Sequence, residues 1–240
     1  MIFETILLEK ADNIARITLN RPRAMNAMSR KMLKEVQQAV TDIKNDPKVK
    51  VVILSAAGDR AFCAGTDMKE MAQTPGDNGM LLHETLTSIR NLPKPVVCAV
   101  KGYCLGSGLD LMLSSDLAIA GENALFGMPE INVGVVSNVE AAIMSRAMSI
   151  FRAKEMCLLG DHFDAQKAER CGLVNEVVPL ARLEARVNEL ADKLASKDAT
   201  ALAVQKDVIN KWLTTDLETA MDYSIIAHSL CHGAQWEKKG

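Results

Sequence analysis

Residues 2–9 and 13–19 are rich in Ile, Leu and Thr, and the Lys10-Ala11-Asp12-Asn13 stretch between them tolerates turn geometry. This predicts an opening hairpin. From Ser29, placed to cap a helix, Met32, Leu33, Val36, Val40 and Ile43 recur at helical spacing until Asn45-Asp46-Pro47 stops the pattern. Residues 49–54 and 96–100 are apolar runs without alternation, as expected of strands covered on both faces. A helical stretch over 78–91 separates them, so strand, helix and strand form a right-handed crossover. Leu109, Met112 and Leu113 then share one helical face within 106–115, ahead of a short strand at 117–120.

After Glu130 the period becomes helical, over 139–148, 152–159 and 164–171, the last with Asp164 as its cap and Gly172 at its stop. Only 173–178 reads as strand. Beyond Pro179, Leu183, Val187, Leu190 and Leu194 form one helical stripe, and Val204, Val208, Ile209 and Trp212 another. The expected organisation is an α/β core over 1–180 and, over 181–240, a helical subdomain or interaction layer. No internal repeat or flexible linker divides them.

Composition removes several classes of function. The chain has 240 residues, 48% hydrophobic and 24% charged, which suits a globular fold with a full core. With 28 Lys and Arg against 30 Asp and Glu, the net charge of −2 supplies no field for a polyanion, so nucleic acid is not an expected partner. Six cysteines occur without a C-x-x-C pair and mostly inside apolar stretches, pointing to reduced thiols and a cytoplasmic setting. No apolar run approaches the roughly 18 residues of a membrane span, and the N-terminus lacks a basic region before an apolar one. The four histidines share no metal-ligand spacing, so no metal is expected.

Two segments carry more glycine and small residues than a turn needs: 61–68 and 102–110, each following a buried strand. The carboxyl ends of parallel strands are where open sheets bind ligands, and small residues let backbone N–H groups approach one. The second segment also leads into a helix start, which favours negative charge. The plain alternative is a pair of tight turns, and neither segment matches G-x-x-x-x-G-K-[ST] or G-x-G-x-x-G. Two acids stand near these segments. Asp110 lies near the helix start, and Glu130 follows Gly127-Met128-Pro129 among Phe126, Met128 and Ile131. A carboxyl among apolar neighbours has its charged form disfavoured and exchanges protons nearer neutral pH. Against this, Asp110 could serve only the helix dipole and Glu130 only a surface turn.

The segments Asn20-Arg-Pro-Arg-Ala-Met-Asn-Ala-Met28, Ala61-Phe-Cys-Ala-Gly-Thr-Asp-Met-Lys-Glu-Met71, Lys94-Pro-Val-Val-Cys-Ala-Val-Lys-Gly-Tyr-Cys-Leu-Gly-Ser-Gly108 and Phe126-Gly-Met-Pro-Glu130 together resemble the crotonase family of enoyl-CoA hydratases and isomerases. The likeness runs from about residue 3 to 180, where Ala168-Glu-Arg-Cys-Gly-Leu-Val-Asn-Glu-Val-Val-Pro179 resembles the end of the family core. It implies a crotonase-like spiral of ββα units whose helical C-terminal region supports a homotrimer or a dimer of trimers. It also implies an acyl-CoA substrate, with coenzyme A part of that substrate and no separate cofactor.

By motif position, the N–H groups of Thr66 and Ser107 would hold the thioester oxygen, and Arg23, Ala24, Ala64 and Met68 would meet the CoA. Glu130 would move a proton at the substrate carbon and Asp110 would hold the water of a syn hydration. The family's hydratases carry Glu at both acid positions, whereas this chain has Asp at 110. Dienoyl-CoA isomerases resemble the Asp-then-Glu pair but add an Asp where this chain has Asn138. Glu140 stands where many hydratases have a Gly-rich turn, so Asn138 and Glu140 are further candidates for the pocket. The expected activity is enoyl-CoA hydration. The alternatives are double-bond isomerisation and a catalytically weak acyl-CoA-binding scaffold.

Overall fold

The computed structural model describes residues 3–71, 77–137 and 141–237. Strands β1 (Ile6–Ala11) and β2 (Ile14–Leu19) form the expected antiparallel hairpin, with Asp12 in the left-handed region at its turn. Ser29 caps α1 (Arg30–Asn45) by accepting the Met32 N–H at 3.2 Å, and the helix buries Met32, Leu33, Val36, Val40 and Ile43. The strand β3 (Val51–Ala56) is buried at every position and runs parallel to β2.

Next comes an element too short to show in the hydrophobic pattern. The chain turns at Gly58 and lays down β4 (Ala61–Cys63) before α2 (Met68–Met71) and α3 (Asp77–Arg90). The same order returns with β5 (Val96–Val100), β6 (Tyr103–Leu105) and α4 (Ser107–Leu113), and again with β7 (Leu117–Gly121), β8 (Leu125–Gly127) and a 3-10 turn at Pro129–Val133. What the hydrophobic pattern shows as glycine-rich loops at 61–68 and 102–110 thus contains the short second strands of successive ββα units.

The rest of the chain supplies α5 (Ala141–Ala147), α6 (Ile150–Leu159), β9 (Phe163–Asp164), α7 (Ala165–Arg170), β10 (Glu176–Val178) and the helices α8 (Leu183–Ala195), α9 (Ala199–Thr214) and α10 (Leu217–Glu237). Asp164 caps α7 as expected, accepting the Lys167 N–H at 2.7 Å. Several boundaries differ from the expectation by one to three residues, as where β3 is expected over 49–54 and runs Val51–Ala56. α6 starts two residues earlier behind a Ser149 cap, and the strand expected over 173–178 is only three residues long because Gly172, at φ 84°, is still turning the chain out of α7.

Long strands join one sheet in the order β1-β2-β3-β5-β7-β10, and short strands join another in the order β4-β6-β8-β9. Each is mixed: parallel pairing predominates, with β1 antiparallel to β2 and β9 antiparallel to β8. The unalternating runs are explained by burial on both faces. Val51, Ile53, Val97 and Ala99 face Leu183, Val187 and Ala191 of α8, while Val52, Leu54, Val96 and Cys98 face the larger core with α1 and α3. Among the described residues no helix is long and apolar enough to cross a membrane.

One buried cation anchors α9. Lys206, only 7% exposed, donates to Asp116 Oδ2 at 2.7 Å and to the carbonyls of Lys94 and Ile89 at 3.2 and 3.4 Å. Asp116 Oδ2 also accepts the Val96 N–H at 2.7 Å, so one carboxylate organises both α9 and the start of β5. The stripe expected on α9 is buried only at Val208, whereas Ile209 and Trp212 stay exposed, as do Leu217, Met221, Ile225, Ile226 and Leu230 of α10. Asp116 itself stays partly open to solvent, its side chain 28% exposed, so Lys206→Ala costs the buried ammonium's hydrogen bonds and should lower the unfolding free energy by about 1 to 3 kcal/mol in urea titration. Lys206→Met, which keeps the stem's packing, should lose less.

Candidate active site

Ala61 lies opposite Tyr103 and Cys63 opposite Cys104 in a parallel ladder, so the segments leaving β4 and β6 emerge side by side. The ladder tolerates no side chain at 108. A β-carbon there would strike the Cys63 carbonyl, so only glycine lets α4 pack so close to β4. Above this contact the hydroxyls of Thr66 and Ser107 are hydrogen-bonded at 2.8 Å.

The backbone amides at these two positions are left over by the fold. Met28 donates its N–H to Gly65 O at 2.8 Å and accepts the Asp67 N–H at 3.0 Å, a parallel bridge that turns the Thr66 N–H away from residue 28. Ser107 opens α4, where the first N–H groups have no intrahelical acceptor. Both residues line one cavity of about 320 Å³, together with Ala64, Gly65, Met68, Gly106, Pro129, Glu130, Asn132, Val133, Val135 and Val136.

Glu130 reaches this cavity from its 3-10 turn. Pro129 opens the turn, Gly134 at φ 74° closes it, and the Val135 N–H donates back to Glu130 O at 3.0 Å. Its carboxyl rests on Gly106, where an added β-carbon would overlap Oε1 and where φ is 51°. Oε2 is buried and has no hydrogen-bond partner among the described residues. Burial therefore pushes the Glu130 carboxyl above its ordinary value, a state suited to giving and taking a proton.

Asp110 lies one turn into α4 and is fully buried, so it is enclosed in the protein and does not line the cavity. Its charge is felt by the thiols of Cys63, Cys104 and Cys157, and the first of these is pushed up to about 12, chiefly by burial. Ala64 and Met68 are on the cavity, whereas Arg23 and Ala24 sit exposed on a 3-10 turn at Pro22–Ala24. That turn is fastened to the first loop. The Ala64 N–H donates to Met25 O at 3.1 Å, Arg21 pairs with Asp67 at 3.0 Å, and the Asn26 amide donates to Ala57 O and Ala61 O at 2.9 Å. Asn138 and Glu140 lie outside the described residues.

The hydrophobic pattern did not single out Asn26, Asn132 or the Val133, Val135 and Val136 wall. Asn26 is buried in the left-handed conformation that Asn tolerates, and the valines follow an irregular turn with no period to mark them. A larger cavity of about 860 Å³ lies between α3, α5 and α9, and neither Thr66, Ser107 nor Glu130 lines it. Among the described residues, no group of three or more His, Cys, Asp and Glu could hold a metal ion.

The two-sheet ββα spiral, with Thr66, Ser107 and Glu130 on one cavity, can be set beside known proteins. Residues 9–238 match the family model for enoyl-CoA hydratase/isomerase. The chain is 35% identical to a crotonyl-CoA hydratase of Syntrophomonas wolfei, covering all of this chain and 94% of that one. It is 35% identical to a short-chain-enoyl-CoA hydratase of Clostridium acetobutylicum over 99% of this chain and 93% of that one. The fold is similar to the crystal structure of an enoyl-CoA hydratase from Bacillus anthracis, with a TM-score of 0.91 at 32% identity, covering 98% and 96% of the two chains. The chain belongs to the enoyl-CoA hydratase/isomerase, or crotonase, family.

The raised Glu130 pKa has a signed consequence for stability. The folded protein holds this proton more tightly than the unfolded chain, so the penalty of the buried charge is fully present above the folded-state pKa and is relieved as pH falls through it. Glu130→Gln should therefore melt at a higher temperature than wild type near about pH 8, with the difference shrinking in acid. Thermal melts of both proteins across pH check this.

Proposed function

We propose that the chain is an enoyl-CoA hydratase that adds water syn across the double bond of a 2-enoyl-CoA. The observation that carries this reading is the meeting, on one cavity, of Thr66 and Ser107 with Glu130, whose carboxyl Oε2 has no partner among the described residues. In the reaction, water adds at C3 while the thioester oxygen gains charge as an enolate. The two N–H groups hold that oxygen, a contribution of about 2.7 to 4 kcal/mol per donor in comparable sites. Glu130 delivers the proton to C2, completing the 3-hydroxyacyl thioester and collapsing the enolate. Asp110 holds the water and takes the proton it sheds as its oxygen bonds C3, and that proton then passes to Glu130, restoring its acid form; because the Asp110 carboxyl is fully enclosed, the water has to be enclosed with it.

The apolar wall of Val133, Val135 and Val136 and the cavity's size suit a short aliphatic chain. Relatives named for crotonyl-CoA and for short-chain enoyl-CoA support the same choice. Ala64 and Met68 border the CoA arm, and the exposed Arg23 with Ala24, on a turn tied to that loop, meets its phosphate end. The six unpaired thiols fit a reducing cytoplasm. The exposed apolar row of α10 supports assembly through residues 181–240 into a homotrimer or a dimer of trimers. A second reading, double-bond isomerisation, is favoured by the enclosure of Asp110, which suits a proton relay with Glu130 better than an entering water.

Glu130→Gln should lower turnover by about 10²- to 10⁴-fold with KM little changed, measured by steady-state kinetics on crotonyl-CoA. In ¹⁸O-labelled water the wild type should place label at C3, and Asp110→Asn should suppress that incorporation far more than exchange of the C2 proton. Migration of the double bond without label identifies the isomerase, and binding with neither identifies a scaffold. Light scattering should give the mass of three or six chains, and a monomer at micromolar concentration removes the assembly proposal.

A further inference from the structure

The two amides of the proposed site belong to different units of the spiral, and each loop is fastened mainly to its own neighbours. The first is tied back to residues 25–28, through Ala64 N–H to Met25 O and Asp67 N–H to Met28 O. The second is tied to β8, through Gly106 N–H to Gly127 O at 2.9 Å. The ladder between β4 and β6 ends at Cys63 and Cys104. Past that point, among the described residues, residues 64–67 are joined to 106–107 by one hydrogen bond, the 2.8 Å contact between Thr66 Oγ1 and Ser107 Oγ.

This bond connects the two cavity-lining residues whose N–H groups the proposed function aims at the thioester oxygen. Ser107 is 4% exposed, and the β-branched Thr66 has few rotamers, so neither hydroxyl is free to wander. A restrained pair of side chains at this place controls the separation of the amides as a strut does. Positioning errors of about 1 Å at a reacting centre are costly, so the separation matters to the chemistry.

We propose that the Thr66 and Ser107 hydroxyls form a positioning clasp that fixes the distance between their two N–H groups, and so sets how strongly the site polarises a bound thioester carbonyl. The inference rests on the proposed placement of the thioester oxygen, and extends it to a role for the side chains.

The test uses the full chain with butyryl-CoA carrying ¹³C at the thioester carbon, which is saturated and cannot be hydrated. Infrared difference spectra report the carbonyl stretch, which the wild type should lower relative to free ligand. Thr66→Val and Ser107→Ala should each return it at least about halfway towards the free value, and the double variant should go no further, because either change alone opens the clasp. Thr66→Ser, which restores the hydroxyl, should retain the wild-type frequency. With crotonyl-CoA the same variants should lose about tenfold in kcat with KM within about twofold.

A merely structural bond would lower the melting temperature and leave the frequency unmoved. Additive effects in the double variant, or a frequency unchanged in all three clasp-opening variants, overturn the clasp while leaving the hydratase reading intact. A carbonyl shift in wild type without label from water leaves the clasp standing and overturns hydration. No shift in wild type overturns both. Should Thr66→Val not fold, Ser107→Ala alone decides.

Discussion

How closely two backbones approach each other governs everything at the cavity. β4 and β6 are three residues each, and they deliver their loops side by side only because α4 starts against the Cys63 carbonyl with no side chain at Gly108. The same economy recurs at Gly106, where the bare α-carbon makes room for the Glu130 carboxyl. Two glycines in one short segment thus set two distances, one between loops and one between a loop and an acid. A larger residue at 108 would force β4 and α4 apart, since the obstructing atom is a backbone carbonyl, whereas one at 106 would push the Glu130 carboxyl out of its place.

The fold treats two partly enclosed acids differently. Asp116 Oδ2 receives Lys206 and the Val96 amide, and its reward is mechanical, since it binds a helix to the sheet. Glu130 is buried with one oxygen left unanswered, which makes it a poor contributor to stability and a good exchanger of protons. Burial raises both pKa values, so the shift alone does not tell them apart. Their partners do.

Much of the frame was legible because it is built from periods long enough to read. The Ser29 and Asp164 caps, the amphipathic α1 and the doubly covered β3 and β5 all follow from local chemistry. The second sheet was not legible from periodicity, since three residues cannot display an alternation, and its existence was implied only by the resemblance to a family. Glu130 could be suspected from its apolar neighbours. The enclosure of Asp110 could not, because an acid in the first turn of a helix looks the same whether that turn faces solvent or the interior. Lys206 was hidden for the opposite reason: within α9 it reads as a solvent-facing charge, and only tertiary packing brings Asp116 to it.

Cys63 occupies the last position of β4, immediately before the first residue of the cavity wall. Its thiol is completely buried, donates weakly to Gly65 O at 3.7 Å, and titrates near about 12 rather than 9.0. At neutral pH that lowers the thiolate fraction by about a thousandfold, and the thiolate is the form that attacks electrophiles. Burial thus removes this thiol from reaction in two ways, by denying access to it and by keeping it protonated. The packing that closes the end of β4 also holds this sulfur in its unreactive, protonated form.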